Sequence, residues 1–449
     1  MTLRFGTDGV RGPADELTDE LVAALGCAAA TILGTDRFLI GRDTRESGAR
    51  LEAALARGLA AGGAVPEVLG VVPTPVVAWV GAADGVPGAM ISASHNAFGD
   101  NGIKFFAPGG LKLSDAVEAE LEAELDRVLA RGEPQADGAG AAADPDAGRA
   151  DLARYSQAVV DSLGGRRLDG LSVVIDCANG SASTVAADVL VALGASVEVL
   201  HADPDGRNIN EGCGSTHPED PQAAVVAAGA AAGLAFDGDA DRLLAVDEHG
   251  VLIDGDQVIA LCAVDLRDRG ELTDDAVVVT VMTNLGFRQA MARHGIEVVE
   301  TNVGDRYVLE ALADRGLALG GEQSGHVIFR RLATTGDGLL TGVQLLDLLV
   351  RSGRPLSLLA AESMTRMPQV LVNVRVARRD PALVAAIGAD IAAVEAELGD
   401  QGRVLVRPSG TEPLVRVMVE AADEAVARAM ADRLVAAVGA ATGSPARPQ

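Results

Sequence analysis

Three stretches of the chain repeat the same order of elements: a short apolar run, a polar turn, a helical segment and a second apolar run. The first begins at residues 38–40 and has a helical pattern over 47–61; the others cover 173–200 and 276–300. An apolar run that returns to a second apolar run through a helix predicts a β-α-β unit with parallel strands. We therefore expect several parallel α/β layers in this chain.

The last hundred residues follow a different pattern. Alternation over 370–376 and apolar runs at 404–406 and 414–419 predict strands, whereas 381–398 and 423–438 predict helices. The resulting β-α-β-β-α order is typical of a small α+β domain.

A helix that starts at Ser114, with Val117, Leu121, Leu125 and Val128 on one face, closes the first unit. After it, residues 131–151 are rich in Gly, Ala, Pro and Asp without periodicity, which predicts a linker or an exposed loop.

Size and charge limit the number of domains and the possible partners. At 449 residues the chain exceeds one hydrophobic core, so two to four domains are expected. A net charge of −27 repels polyanions, which argues against nucleic acid or an anionic membrane surface as a partner. An anionic substrate therefore needs arginines placed close to it.

The cysteines and the amino-terminal residues indicate a reducing compartment. Four cysteines are scattered without a C-x-x-C pair, so neither a disulfide framework nor a zinc cluster is indicated. The first eight residues lack the regions of a signal peptide, and the longest apolar run, 223–236, is too short to span a bilayer. We expect a cytoplasmic protein without a membrane role.

Ser94 is the strongest candidate for a catalytic nucleophile. It follows an apolar strand, with His95 beside it and Lys104 ten residues later. A serine that exchanges a phosphoryl group needs such neighbours for proton relay, although a turn that satisfies its own backbone would look similar. We expect its hydroxyl to be exposed and within about 10 Å of the acidic loop described next, so that one ion can contact both.

Asp237, Asp239 and Asp241 alternate in a tight loop after a short apolar run. Three carboxylates so spaced can converge on Mg²⁺, which prefers oxygen ligands. The spacing also resembles a calcium loop, but Arg242 occupies the sixth position, where that loop requires glycine. A solvated acidic turn is the other alternative, and the adjacent Arg242 fits a phosphate better.

Two further loops carry groups that suit a sugar phosphate. Glu322, Ser324 and His326 lie among glycines and could hydrogen-bond sugar hydroxyls, although a capped turn would look similar. The segment 407–413, with Arg416 beyond it, offers hydroxyls, backbone amides and a guanidinium to a phosphate, although a hairpin loop is the alternative.

The basic residues add three predictions. Only two of the 37 basic residues are lysine, and lysine can lose its proton on burial whereas arginine cannot. We predict that Lys104 is a titratable amine beside Ser94; the pattern assigns no role to Lys112. Arg11 could reach a phosphoryl group on Ser94, and Arg45 is interpreted as a salt bridge within its own loop.

Taken in order, these segments resemble the α-D-phosphohexomutase superfamily over nearly the whole chain. Segments 5–12, 91–106, 322–326 and 334–338 are most similar to bacterial phosphoglucosamine mutases, since other members more often have methionine at Gln323. The resemblance implies three similar mixed or parallel α/β domains and a C-terminal α+β domain around a central cleft. The domains are expected at 1–152 (phosphoserine loop), 153–255 (metal loop), 256–364 (sugar-recognition loop) and 365–449 (phosphate-binding domain).

The resemblance also implies an isomerase that interconverts glucosamine 6-phosphate and glucosamine 1-phosphate. Ser94 would be the phosphoserine and, with the three aspartates, a ligand of one Mg²⁺; a bisphosphate sugar would act as intermediate and primer. Proton transfer and phosphoryl contact would fall to His95, Lys104, Arg11 and Arg242. The substrate would be bound by Glu322, Ser324, His326, Arg407, Ser409, Gly410, Thr411 and Arg416.

The serine loop departs from the family pattern at two positions. The usual His-Asn-Pro-Phe-Tyr is His95-Asn96-Ala97-Phe98-Gly99 here, so we expect a looser loop. Two alternatives remain open: a phosphomannomutase or phosphoglucomutase, and a sugar-phosphate sensor without turnover. The sequence also leaves the oligomeric state open, a homodimer included.

Overall fold

The protein is described from a computed structural model, in which residues 9–132, 145–376, 378, 382–408 and 413–442 are described. They form two compact units, Met1–Met282 with Gly295–Ser363, and Thr283–His294 with Met364–Gln449. Three mixed sheets belong to the first unit and one antiparallel sheet to the second.

The first sheet contains β1 (Val10–Pro13), β2 (Arg37–Arg42), β3 (Val65–Val71), β4 (Gly88–Ile91) and β5 (Asp100–Phe106), in the order β1-β5-β4-β2-β3. Strand β2 runs parallel to β3 and β4, whereas β5 runs antiparallel to β4 and β1. Its helices are α1 (Asp19–Leu33), α2 (Gly48–Ala61), α3 (Thr74–Asp84) and α4 (Asp115–Arg131).

The second sheet repeats this arrangement. Helix α5 (Pro145–Asp161) precedes β6 (Ser172–Asp176), α6 (Ala186–Ala192), β7 (Ser196–Leu200), α7 (Glu219–Ala228), β8 (Ala232–Phe236), β9 (Leu243–Asp247) and β10 (Leu252–Ile253). The order is β10-β9-β8-β6-β7, with β6 parallel to β7 and β8 and β9 antiparallel to β8.

The third sheet has the same plan with one strand fewer. Its elements are α8 (Gly255–Asp268), β11 (Ala276–Thr280), α9 (Leu285–Arg293), β12 (Glu297–Thr301), α10 (Asp305–Arg315), β13 (Leu319–Gly321), β14 (Val327–Phe329), α11 (Gly338–Ser352) and α12 (Leu356–Ser363). Strand β11 is parallel to β12 and β13, and β14 is antiparallel to β13. The expectation of three similar mixed α/β units is confirmed.

The second unit contains β15 (Gln369–Arg375), α13 (Ala382–Ala386), α14 (Gly388–Leu398), β16 (Gly402–Pro408), β17 (Leu414–Ala421) and α15 (Glu424–Thr442). The strands pair antiparallel in the order β15-β17-β16, which confirms the predicted α+β pattern. Helix α9 belongs to this unit although it connects two strands of the third sheet. Asn284, the residue before α9, ties this helix to the second unit, because its side-chain amide donates hydrogen bonds to the Met367 carbonyl and the Glu420 carboxylate.

Local signals fix several helix ends. Thr18 and Ser114 accept hydrogen bonds from the first turns of α1 and α4, and Asp254 forms a capping box with Gln257 at α8. One prediction was wrong: the stretch 131–151 is not a loop throughout, because α5 begins at Pro145. No helix among the described residues combines the length and apolar character needed to cross a bilayer.

Asp337, at the start of α11, provides a test of this packing. Its carboxylate accepts hydrogen bonds from the Tyr155 hydroxyl at 2.9 and 3.0 Å and from the Leu340 amide at 2.9 Å. Burial raises the pKa of Asp337 to about 6. A carboxyl whose folded pKa lies above its unfolded value stabilises the fold at low pH and loses that contribution as pH rises through the folded pKa.

We predict that Asp337→Asn gains stability relative to the wild type between pH 4 and pH 7, by about 3 kcal/mol at 1.36 kcal/mol per pKa unit. Melting temperatures measured across that range provide the test, with the exposed Asp314→Asn as the control for losing one carboxylate. A difference between Asp337→Asn and wild type that does not change with pH contradicts the prediction.

Candidate active site

Ser94 lies in the loop between β4 and β5 and has a left-handed backbone conformation, with φ of 52°. This conformation is uncommon outside glycine and is often found at functional positions. Its amide donates a 2.9 Å hydrogen bond to Ser92 Oγ, which in turn donates to Asp43 Oδ2 at 2.6 Å. The expectation of an exposed hydroxyl is wrong: Ser94 is only 1% exposed, because the loop that carries Asp237 covers it.

Arg45 holds the serine loop in this shape. Its Nε donates to Asp43 Oδ2 at 2.9 Å, which confirms the predicted salt bridge within its own loop. The two terminal nitrogens donate to four carbonyl oxygens of the serine loop, those of Ser94, Asn96, Ala97 and Asp100. All five N–H donors of the Arg45 guanidinium are thereby used, and the side chains of Arg45 and Asp43 are both fully buried.

The acidic loop between β8 and β9 contacts the serine loop directly. Ser94 Oγ donates a 2.6 Å hydrogen bond to Asp237 Oδ2, so the expected proximity of hydroxyl and carboxylates is confirmed. Gly238 is required at this contact because a Cβ there would lie 2.7 Å from the Ser94 carbonyl oxygen. Lys104, on β5, reaches across to Asp239 Oδ2 at 2.7 Å and to Asp241 Oδ2 at 3.3 Å.

The three aspartates are almost completely buried, and the pKa values of Asp237 and Asp241 are shifted in opposite directions. Burial, followed by the charges of Asp239 and Asp241, raises the pKa of Asp237 to about 8. Burial also acts to raise the pKa of Asp241, but Lys104 and His326 outweigh it and hold that pKa well below its usual range. Lys104 is thus one of the cations that keep the buried Asp241 carboxylate charged.

These carboxylates fit a hard divalent cation. One oxygen from each of Asp237, Asp239 and Asp241 lies within 4.8 Å of the others. Asp239 Oδ1 and Asp241 Oδ1 are buried and, within the described part of the chain, accept no hydrogen bond. Oxygen donors that converge without hydrogen-bond partners are what Mg²⁺ binding requires.

His95 and two arginines lie beside the hydroxyl. His95 Nδ1 is 3.4 Å from Ser94 Oγ and 3.2 Å from Arg242 Nη1. Burial, with the positive charges of Arg242 and Arg11, lowers the pKa of His95 to about 4, so the imidazole is neutral at pH 7. Arg11 is on β1, directly opposite Gly102 of β5. This pairing places Arg11 close enough for its charge to affect His95.

The loop 322–326 joins β13 to β14 and packs against the acidic loop. Gly325 has φ of +92° and its carbonyl accepts a 3.0 Å hydrogen bond from Leu243, the residue after Arg242. His326 Nδ1 lies 3.7 Å from Asp241 Oδ2, Glu322 accepts a 3.0 Å hydrogen bond from the Gly304 amide, and Ser324 is exposed.

Lys112, to which the sequence assigned no role, ends a chain of buried polar groups. It forms an ion pair with Asp305, whose Oδ2 is 3.2 Å from His326 Nε2. Burial acts to lower the pKa of His326, but Asp241 and Asp305 outweigh it, so the pKa lies above its ordinary value. Both lysines of the chain thus support one network, from Lys104 through Asp241 and His326 to Lys112.

The predicted phosphate-binding segment is only partly described. Ser409, Gly410 and Thr411 lie outside the described residues. Arg407 on β16 and Arg416 on β17 are direct cross-strand partners. Burial and the charge of Arg416 lower the pKa of Arg407. Like charges directly opposite each other destabilise a sheet, so this pair favours an anion between them.

Three of the candidate loops occupy equivalent positions in the three similar sheets. Each joins the last parallel strand to the antiparallel strand: β4 to β5, β8 to β9 and β13 to β14. They carry Ser94, the three aspartates, and Glu322 with His326, respectively. Equivalent loops at the carboxyl ends of parallel strands are where α/β sheets place ligands.

Sequence reasoning missed two residues that shape the site. Thr74, at the start of α3, donates from its hydroxyl to Asp239 Oδ2 at 2.6 Å. Asn210 donates from its amide to the carbonyls of Ser94 and Asn96 at 2.9 and 3.0 Å. Thr74 could have been predicted as a site residue, because it is a polar residue shortly after the carboxyl end of β3.

We predict that Arg45→Lys lowers kcat by about 10²-fold, because a lysine cannot replace the five donors and the serine loop shifts. Steady-state kinetics and melting temperature are the measurements, and both should fall. Arg315→Lys, at an exposed pair with Glu297, is the matched control. Wild-type kcat in Arg45→Lys contradicts the assigned role of this residue.

Comparison with known proteins identifies the family. Four models described as phosphoglucomutase/phosphomannomutase match: alpha/beta/alpha domain I at residues 2–131, domain II at 153–250, domain III at 254–367, and the C-terminal domain at 371–437. Phosphoglucosamine mutase of Frankia alni is 53% identical over 99% of this chain and 100% of its own length. That of Rhodococcus opacus is 52% identical over 97% and 98%.

Solved structures agree with the family models. A phosphoglucomutase/phosphomannomutase family protein from Burkholderia thailandensis matches with a TM-score of 0.80 at 27% identity, covering 98% of both chains. Aspergillus fumigatus N-acetylphosphoglucosamine mutase, in complex with GlcNAc-6P and magnesium, matches with a TM-score of 0.69 over 98% of this chain and 96% of its own. At 20% identity that match shows the fold alone. This chain belongs to the phosphoglucomutase/phosphomannomutase family.

Proposed function

We propose that this protein interconverts glucosamine 6-phosphate and glucosamine 1-phosphate through a phosphoryl group carried on Ser94. The observation that carries the proposal is the strained Ser94 residue, whose hydroxyl lies 2.6 Å from Asp237 and 3.4 Å from His95 Nδ1. The phosphoglucosamine mutases of Frankia alni and Rhodococcus opacus, with which more than half of the residues are identical, support glucosamine as the sugar.

The reaction needs two phosphoryl transfers. In the first, a sugar hydroxyl loses its proton and bonds to phosphorus as the bond between phosphorus and Ser94 Oγ breaks; the freed Oγ takes up a proton, and the product is a bisphosphate sugar. In the second, Ser94 Oγ loses its proton and bonds to the phosphorus of the other phosphoryl group, and the sugar oxygen that leaves takes up a proton. A trace of bisphosphate sugar acts as primer because it phosphorylates a free Ser94.

The residues around Ser94 have separate roles in this proposal. Lys104 and His95 are assigned to proton transfer, since each lies in the buried cluster next to the hydroxyl or its carboxylate partners. Arg11 and Arg242 are assigned to the charge on the phosphoryl oxygens. The Ser94–Asp237 hydrogen bond must open before Oγ can accept a phosphoryl group, because the serine is buried.

Asp237, Asp239, Asp241 and Ser94 are the residues that would hold one Mg²⁺. When bound, Mg²⁺ draws electron density from phosphoryl oxygens and offsets the charge of the carboxylates. Thr74 and Lys104 fix the orientation of Asp239 through its Oδ2, which leaves Oδ1 available as a ligand.

Substrate binding is assigned to two other loops. Glu322, Ser324 and His326 would contact sugar hydroxyls, and Arg407, Ser409, Gly410, Thr411 and Arg416 would bind a phosphate. We retain 1–152, 153–255, 256–364 and 365–449 as the proposed domains and the cytoplasm as the proposed location. The proposal does not depend on whether the enzyme is a homodimer.

The decisive experiment combines intact mass with turnover. We expect purified protein incubated with bisphosphate primer to gain the mass of one phosphoryl group, and Ser94→Ala to lose both that mass and activity, with kcat lower by about 10³-fold or more. Ser156→Ala, which changes a serine in α5, is the control and should behave as wild type. Normal activity in Ser94→Ala overturns the mechanism, and phosphorylation without mutase turnover favours the sensor.

Sugar specificity is tested separately. We expect kcat/KM for glucosamine 6-phosphate to exceed that for mannose 6-phosphate and glucose 6-phosphate by about tenfold or more, since polar groups that pair with the sugar are left unpaired by the wrong one. Higher kcat/KM with mannose or glucose would assign the protein to the phosphomannomutase or phosphoglucomutase branch.

A further inference from the structure

A second group of metal-binding side chains lies outside the active site, at the carboxyl ends of β6 and β7. Asp176 is the last residue of β6, His201 follows β7, and Cys213 precedes a short 3-10 turn at Gly214–Thr216. One ligand atom from each, a carboxylate oxygen, a ring nitrogen and a sulfur, lies within 4.8 Å of the others. Their spacing of 25 and 12 residues matches no metal-binding motif, so no sequence pattern predicts this group.

Asp176 and Cys213 are held in place by hydrogen bonds that leave lone pairs for a metal. Asp176 is fully buried; its Oδ1 accepts from the Ala178 amide at 2.8 Å and its Oδ2 from the Gly214 amide at 2.9 Å. Cys213 Sγ accepts from Asn179 Nδ2 at 3.9 Å. Hydrogen bonds of this kind to ligand atoms are typical of the groups that surround metal ligands.

His201 has the arrangement of a metal-binding histidine. Its Nδ1 is buried and, in the described ranges, makes no hydrogen bond, although Asp176 Oδ2 is 3.0 Å away. The opposite nitrogen, Nε2, lies 3.2 Å from Asp220 Oδ2. A histidine that binds metal through one nitrogen almost always donates from the other to such a group.

The donor set selects the metal. Bond lengths of about 2.0–2.3 Å to nitrogen, oxygen and sulfur require the ligand atoms of a tetrahedral site to lie roughly 3.3–3.7 Å apart. The three ligand atoms lie within 4.8 Å of one another, so small side-chain rotations would bring them to these separations. One thiolate, one imidazole and one carboxylate suit Zn²⁺ and not Mg²⁺, which takes oxygen ligands.

We propose that Asp176, His201 and Cys213 bind one Zn²⁺, with water as the fourth ligand and Asp220 orienting His201. Binding displaces the thiol proton of Cys213 to solvent as the sulfur–metal bond forms.

The site has a structural role because it ties the ends of the loop 201–213 together. Asn210, in that loop, donates to the carbonyls of Ser94 and Asn96, and the Gly206 carbonyl accepts from the Glu46 amide at 2.9 Å. The metal thereby stabilises the segment that supports the serine loop.

Cobalt substitution tests the proposal. Full-length protein treated with a chelator is titrated with Co²⁺ in excess Mg²⁺, so that the aspartates of the active site are occupied. We expect a thiolate-to-cobalt charge-transfer absorption that saturates at one equivalent and disappears on addition of Zn²⁺. The absorption should be lost in Cys213→Ser and in His201→Ala.

Matched variants separate this site from other cysteines and histidines. Cys262→Ser, another buried cysteine, and His249→Ala, a histidine in the turn between β9 and β10, should retain the absorption. Asp220→Asn should weaken Co²⁺ binding by about 10–100-fold without altering the fold, since this carboxylate is largely exposed. If Cys213→Ser does not fold, the Co²⁺ affinity of Asp220→Asn tests the proposal in its place.

Three results would overturn the proposal: no thiolate absorption in the wild type, an absorption that survives Cys213→Ser, or Co²⁺ affinity unchanged by Asp220→Asn. None of these readouts uses mutase activity, so the proposal stands or fails independently of the function assigned to Ser94.

Discussion

The contact between the serine loop and the acidic loop is the interaction on which the rest of the site depends. The three aspartates of the acidic loop are almost completely buried next to the Ser94 hydroxyl. A buried carboxylate remains charged only when a cation or a hydrogen-bond donor is close to it. Lys104 is the nearest such cation, and His326 is the next. The same buried carboxylate oxygens that are costly to leave without partners are suited to a hard cation such as Mg²⁺.

A repeated topology brings these groups together. In each of the three similar sheets, the loop from the last parallel strand to the antiparallel strand carries one group of candidate residues: Ser94, the three aspartates, or Glu322 with His326. In the proposed mechanism, one geometry used three times would supply the nucleophile, the metal ligands and the sugar contacts from separate parts of the chain. The close approach of the first two loops in turn explains Gly238, since a side chain there would meet the Ser94 carbonyl.

The sequence predicted the elements and the candidate loops well, because both are encoded by local patterns. Strands such as 196–200 and the Ser47 start of α2 agree with the structure within a residue or two. Sequence patterns did not predict the features of the site that depend on contacts between residues distant in sequence. The hydroxyl of Ser94 is buried by a loop 143 residues away in sequence, Arg45 spans two loops, and Lys112 pairs with Asp305 across 193 residues. Spacing alone cannot reveal such contacts.

Passage of the phosphoryl group through Ser94 can be followed with a radioactive label in a single turnover. Protein phosphorylated with ³²P on Ser94 is mixed with unlabelled glucosamine 6-phosphate and quenched after a single turnover. If Ser94 is the phosphoryl carrier, the label leaves the protein and appears in the sugar phosphates. Unlabelled glucosamine 1-phosphate, formed while the label stays on the protein, would contradict this role of Ser94.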